Sequence, residues 1–491
     1  MKLLLIRPCF SVEKFYFPRF IDESLGIESL ASFLLESNHR VEVIDALAEA
    51  WNNYWELDEC PESFFQGLKP KELLKKIIKC NPEIVGITWI FATQNISVDM
   101  TIKAVRNFSK TAIIVVGGNQ VSTDPTKFLR ENKDIDIVVR GEGEITMKEI
   151  LDNKAQNLDR IKGIAFRKNG KIILNPPRDL IENLDELPFP GRHLIPYQNY
   201  SKQYLYETIY LRLKKINISD EKNRWITSKL SSLPFLDYLY YKLYNKKHTK
   251  VNLPTADIVT SRGCPNHCTF CALHNTWGHI WRMRSAQNVL KEIDLLVNKF
   301  GIKNINIMDD NFNVSKERTI EICKGIIKNK YNITLLPTAG AFVPTLDEEV
   351  LLWLKRAGLK ELRMSIESGN QEVLYNIIKK NIDLSKVKEI VDICKKLGIE
   401  TEGAFIFGIP GQTIETMKEN IEFAKKTGFN RMIRFIFQPF PNTELYDICV
   451  KNNYFTEDYD PKRVYITGNK CFIKTDKFSP EDVLKIVNRP F

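Results

Sequence analysis

The residues with the clearest capacity for chemistry lie at 261–271, Ser261-Arg262-Gly263-Cys264-Pro265-Asn266-His267-Cys268-Thr269-Phe270-Cys271. Three cysteines spaced C-x3-C-x2-C can converge on one metal centre, because thiolates are strong, soft ligands. Two centres are open to such a loop. Zinc wants four protein ligands in a closed tetrahedron, and His267 or His274 could supply the fourth; that version is a metal-stabilised binding protein without catalysis. A [4Fe-4S] cluster on three cysteines leaves one iron open to a further ligand, which is a reason to have three cysteines and no more.

The elements around the loop favour a catalytic setting. Apolar strand patterns recur at 257–260, 304–308, 334–338, 361–366, 402–407 and 432–437, with helical patterns such as 286–300 and 347–357 between them. Six repeated strand–helix units predict a curled parallel sheet, a partial or full (β/α) barrel, whose active site collects at the C-terminal ends of the strands. The cysteine loop follows the first strand. Asp309 and Asp310 follow the second, Ser365 and Glu367 close the fourth, Gly408 follows the fifth and Gln438 the sixth.

The first 150 residues form a second α/β series. Strands are predicted at 2–6, 40–44, 84–89, 112–116 and 135–139, and helices at 25–35, 70–79 and 98–107. Continuous β-branched strands alternating with helices indicate a doubly wound, Rossmann-like sheet covered on both faces. Ligands of such sheets sit at the carboxyl ends of the strands, where Asp45, Thr88, Gly117, Gly118 and Glu142 fall. A hairpin-like strand pair and the linker Leu187-Pro188-Phe189-Pro190-Gly191 come next. Residues 201–250 carry eleven Lys/Arg against four Asp/Glu and many tyrosines. They read as a helical insertion packed over the domains, or as a lid or docking surface for an anionic partner. The expected division is therefore 1–150, 151–250 (linker and insertion), 251–450 (barrel) and 451–491 (C-terminal segment).

Composition bounds these readings. With 491 residues, 43% of them hydrophobic and 27% charged, the chain has the balance of a globular protein, which excludes a disulfide mini-protein and a disordered tail. A net charge of +10 is too dilute for a dedicated nucleic-acid binder. No apolar run reaches the roughly 18 residues of a membrane span. The short run 1–6 stops at Arg7-Pro8 and lacks the features of a signal peptide. A cytoplasmic location is expected, where ten cysteines serve as thiols or metal ligands.

The loop, with aromatic Phe270 before its last cysteine, resembles the signature of radical S-adenosylmethionine enzymes, and the resemblance continues downstream. Asp309-Asp310-Asn311-Phe312 stands where that family contacts the methionine amino group, with an acidic pair in place of the usual Gly-Gly-Glu. Ser365-Ile366-Glu367-Ser368-Gly369 stands where it holds ribose and carboxylate. The stretch 403–411, ending Gly408-Ile409-Pro410-Gly411, matches the motif beside the adenine, and Gln438-Pro439-Phe440-Pro441-Asn442-Thr443 the sixth-strand ending. The resemblance implies that Cys264, Cys268 and Cys271 hold the cluster. It also implies that Phe270, Asp309, Asp310, Ser365, Glu367, Gly408 and Gln438 surround S-adenosylmethionine.

The doubly wound half, the Leu-Pro-Phe-Pro-Gly linker, Gly117-Gly118 and Arg140-Gly141-Glu142-Gly143-Glu144 are similar to the cobalamin-binding subclass of that family. One departure is plain. Mutase-type cobalamin domains carry Asp-x-His-x-x-Gly, whereas the turn read as equivalent, Asp45-Ala46-Leu47, has no histidine to ligate cobalt from below. The resemblance implies a methyltransferase that uses a 5′-deoxyadenosyl radical and methylcobalamin on an unactivated carbon, or a phosphorus, of a small biosynthetic substrate. It also implies a one-electron donor such as flavodoxin or ferredoxin. An alternative with the same cofactors is oxidative cyclisation or ring rearrangement. Methylthio transfer would need a second cluster, and the spacing of Cys9, Cys60 and Cys80 does not place them on one surface. Those three and Cys323, Cys394, Cys449 and Cys471 read mostly as small buried hydrophobes, although Cys9 falls beside the ligand edge.

Overall fold

The computed structural model describes residues 1–13, 22–61, 63–200, 254–460 and 470–489; the insertion expected at 201–250 lies outside them. The chain divides into two compact units, Met1–Ile181 with Glu186–Pro254, and Glu182–Asp185 with Thr255–Phe491.

Unit one is built on β1 (Lys2–Arg7), β3 (Arg40–Asp45), β6 (Ile84–Thr88), β7 (Ile113–Gly117), β8 (Ile137–Val139), β9 (Ile164–Lys168) and β10 (Lys171–Leu174). They form one sheet in the order β10-β9-β8-β7-β6-β1-β3. The five strands from β8 to β3 are parallel, and β9 and β10 add antiparallel. Alternation along each strand serves two cores. Leu4, Ile6, Val85, Ile87, Ile114 and Val116 pack with residues of helices Pro70–Cys80 and Asn95–Phe108, whereas Leu3, Leu5, Val115, Ile137 and Val139 pack with those of Leu25–Glu36 and Glu144–Asp152. Past residue 150, β9 and β10 extend the same sheet through β8. A feature not expected from the sequence is a small antiparallel sheet of β2 (Phe10–Glu13), β4 (Tyr54–Trp55) and β5 (Ser63–Gln66), in the order β2-β5-β4.

Among the parallel strands the chain order is 2-1-3-4-5, so the connections part to opposite sides between β1 and β6. In doubly wound sheets that switch point is where a crevice opens for a ligand.

Unit two has β11 (Thr255–Ile258), β14 (Asn304–Ile307), β15 (Thr334–Pro337), β16 (Glu361–Glu367), β17 (Glu400–Phe407) and β18 (Arg431–Ile436), all parallel to their neighbours. They form two three-stranded sheets joined by parallel bridges at Leu335–Leu359 and Ala341–Met364. The barrel is thus the partial, six-stranded form. A short ribbon of β12 (Ser261–Arg262) and β13 (Arg282–Met283) frames the cysteine loop. The segment 470–489 is part of this unit: Val483 of helix Pro480–Val487 lies 3.2 Å from where a side chain on Gly408 would stand. No helix among the described residues is long and apolar enough to cross a membrane.

Gly118 follows β7 with φ +123°, and a Cβ there would stand 2.6 Å from the Trp89 carbonyl oxygen. Gly118→Ala is therefore expected to destabilise the protein by about 2 kcal/mol, from backbone strain and a backbone clash, read as a lowered denaturant midpoint.

Candidate functional site

The cysteine loop is anchored before its first cysteine. Asp309, buried just past β14, accepts the Thr260 N–H at 2.6 Å and the hydroxyls of Thr260 and Ser261 at 2.5 Å each. The Thr260 carbonyl accepts from Arg318 Nη2 at 2.7 Å, and the Val259 carbonyl accepts from Arg284 Nη1 at 2.8 Å. Arg284 is itself paired with Glu292 at 2.5 Å. Within the loop Gly263 has φ +91°, and a Cβ there would lie 2.1 Å from the Ile280 carbonyl oxygen, so only glycine fits.

Cys264, Cys268 and Cys271 are half-buried. Cys268 feels the charge of both other thiols and Cys271 that of Cys264. Burial, reinforced by these and neighbouring acidic charges, pushes Cys268 up to about 12 and Cys271 to about 11. Asn311 Nδ2 donates to Cys264 Sγ at 2.9 Å; such a bond to a ligand sulfur is one of the levers on a cluster's potential.

The acidic pair divides. Asp309 is committed to the loop root, whereas Asp310 is half-buried, and burial followed by the neighbouring charge of Asp309 raises its carboxyl to about 7. On the fourth strand the register shifts between Ser365 and Glu367, and Glu367 takes φ +71°. Its carboxylate pairs with Lys380 Nζ at 2.8 Å, and Lys380 also donates to the Ser365 carbonyl at 2.6 Å. Burial works against the Lys380 charge, but the Glu367 carboxylate, with Cys268 and Cys264 close by, holds the ammonium above its ordinary range. Lys380, thirteen residues past Glu367, belongs to no motif legible in the sequence. Phe270 is half-buried in the loop, and Gly408 leaves β17 with φ +80°. Gln438 is 5% exposed; its Nε2 donates to the Lys470 carbonyl at 3.1 Å, while its Oε1 has no donor among the described residues.

In unit one Thr88, Gly117 and Gly118 lie at the carboxyl ends of the neighbouring strands β6 and β7, where the Trp89 N–H binds the Gly117 carbonyl at 2.7 Å. Glu142 accepts the Ile181 N–H at 2.7 Å. Asp45 is fully buried and caps helix Ala46–Glu49 through the N–H groups of Leu47 and Ala48 at 3.2 and 2.9 Å. It also accepts from Arg7 at 3.3 Å and from the Tyr200 hydroxyl. Asp45 therefore braces the end of β1 from within.

Residues 20–151 match the B12 binding domain and 258–424 the Radical SAM superfamily. An uncharacterised methyltransferase of Pyrococcus horikoshii is 31% identical over 472 residues, 95% of this chain and 86% of that one. The chain belongs to the cobalamin-dependent radical S-adenosylmethionine methyltransferase family. The cytidylyl-2-hydroxyethylphosphonate methyltransferase of Streptomyces wedmorensis is 26% identical, over 92% of this chain and 82% of that one. The radical S-adenosylmethionine methyltransferase TsrM from Kitasatospora setae shares the fold, with a TM-score of 0.67 at 17% identity over 93% of this chain and 79% of that one.

A [4Fe-4S] cluster, S-adenosylmethionine and cobalamin are the cofactors of this family. The residues present fit them: three thiols on one short loop within electrostatic reach of one another, an amide aimed at one sulfur, and a buried amide oxygen at Gln438 with no donor among the described residues. The zinc alternative asks for a fourth protein ligand beside the three cysteines. His267, His274 and His279 instead stack on one another, with centroids 3.8 and 5.4 Å apart. For methylthio transfer the separation expected of the N-terminal cysteines is only partly found. Cys9 and Cys60 share a small core around Phe65, but Cys80 ends helix Pro70–Cys80 and hydrogen-bonds Glu42. Two cysteines together do not make a second three-cysteine loop.

Asp309→Ala would strand the Thr260 N–H and two hydroxyls at the loop root. A loss of about 3 kcal/mol is expected, measured by denaturant unfolding, with reduced iron uptake during anaerobic reconstitution.

Proposed function

We propose that this chain methylates an unactivated carbon, or a phosphorus, of a small biosynthetic substrate, in the cytoplasm and with a small one-electron donor such as flavodoxin or ferredoxin. The observation that carries the reading is the convergence on one barrel mouth of three thiols with the Lys380–Glu367 pair. A relative named for methylating a nucleotide-linked phosphonate supports a compact, anionic substrate class, and the excess positive charge suits it.

When bound, the cluster and S-adenosylmethionine supply the radical that removes a substrate hydrogen, and cobalamin supplies the methyl group. The protein's own work is to bind and orient. Cys264, Cys268 and Cys271 would hold three irons. Asp310, which accepts the Gly263 N–H, would meet the methionine amino group with its remaining acceptor capacity, because Asp309 is committed to the loop root. Ser365 and Glu367 would face ribose and carboxylate, with Lys380 keeping the local charge balanced, while Phe270, Gly408 and Gln438 would line the adenosyl end. In unit one, Thr88, at the end of β6 beside the switch point, and Gly117 and Gly118, at the end of the next strand, would receive cobalamin, with Asp45 and Glu142 at further strand ends.

The reading predicts 5′-deoxyadenosine from reduced, reconstituted protein and S-adenosylmethionine, and none from Cys271→Ala; an unchanged yield in that variant would refute it. Because the Asp310 carboxyl is raised to about 7, it is neutral below that pH and ionised above it. S-adenosylmethionine should therefore bind more tightly at pH 8 than at pH 6, by about tenfold. Asp310→Asn should bind weakly and equally at both, as measured by equilibrium dialysis.

A further inference from the structure

Thr269 stands between Cys268 and Phe270 in the cysteine loop. It is 4% exposed, and each of its polar groups is engaged by a part of the barrel far along the chain. Its N–H donates to the Ile378 carbonyl at 3.0 Å and its hydroxyl to the Ile377 carbonyl at 2.8 Å. Its own carbonyl accepts the N–H of Leu445 at 3.1 Å, in the first turn of helix Glu444–Lys451.

The first two acceptors end a π-helical turn, Val373–Ile378, which closes with Lys379 at φ +58°. Turns of this kind are rare and collect at functional sites. The wider turn leaves the carbonyls of Ile377 and Ile378 facing the cysteine loop, and it delivers Lys380, two residues on, to Ser365 and Glu367. Lys379 meanwhile pairs with Glu444 at 2.7 Å, so the turn and the C-terminal helix that hold Thr269 are also joined to each other. Asp309 fixes the loop before its first cysteine, and Thr269 fixes it between the second and the third.

From this we infer that Thr269 is a positioning residue. Its hydroxyl sets the half of the loop bearing Cys268, Phe270 and Cys271 at a fixed distance from Ser365, Glu367 and Lys380. Iron-holding and cofactor-gripping groups thereby move as one body. This rests on the proposed function, in that those strand-end groups grip S-adenosylmethionine. Thr269 touches neither iron nor cofactor; it acts through the main chain of its neighbours.

The test compares wild type, Thr269→Val and Thr269→Ser after anaerobic reconstitution. Valine keeps the shape and both main-chain bonds and removes only the hydroxyl; serine restores it. Three quantities are read: iron per chain, the dissociation constant for S-adenosylmethionine, and the change that S-adenosylmethionine causes in the electron paramagnetic resonance spectrum of the reduced cluster. Thr269→Val should keep wild-type iron, bind S-adenosylmethionine about tenfold more weakly and show a diminished spectral change. Thr269→Ser should recover both. A valine variant that binds and responds like wild type would overturn the inference alone, as would one that loses its iron, since the residue would then merely hold the loop. Wild type without an iron cluster would sink the functional reading and this inference together.

Discussion

Charge drawn into a desolvated loop is the constraint on which this molecule turns. Two of the three thiols are held far above the ordinary cysteine range by burial and by one another. Ionising them without a cation is uphill, so iron must displace their protons as it binds. The surroundings meet that cost in identifiable ways. Lys380 places a positive charge close to Cys264 and Cys268, and Asn311 offers an N–H to one sulfur. Arg318 and Arg284 sit one layer further back, on the carbonyls of Thr260 and Val259. A loop this loaded needs rigid roots, and Asp309 and Thr269 provide them from opposite ends.

The two units solve the same topological problem in different ways. Each is a parallel sheet whose strands deliver polar and glycine residues to their carboxyl ends. In unit one the connections diverge at a single point between β1 and β6, where doubly wound sheets take their ligands. In unit two the curled sheet gathers the ends of six strands around one mouth. The first arrangement suits a large, flat cofactor, and the second a small one gripped at several points at once.

Much of this was legible in the residues, for physical reasons. Parallel strands packed under helices carry apolar, β-branched residues on at least one face, so all eleven parallel strands were legible to within a few residues. The cysteine loop and the strand-end motifs were legible because the chemistry tolerates few substitutes. What was hidden depends on tertiary placement. Asp309 and Asp310 are adjacent and chemically identical, and only their hydrogen-bond partners separate a brace from an acid with acceptor capacity to spare. Lys380 reaches Glu367 through a π-helical turn that carries no periodic signature. Asp45 sits at a strand end, as a ligand contact would, yet its carboxylate turns inward to cap a helix and hold Arg7. The small β2-β5-β4 sheet escaped notice because one of its strands is only two residues long, too short for alternation to show.

The most direct test of the central claim is a cofactor inventory of protein purified without oxygen from cells supplied with iron and cobalamin. The account predicts about four irons, matching sulfide and one corrinoid per chain, with no stoichiometric zinc. Zinc without iron or corrinoid would contradict it.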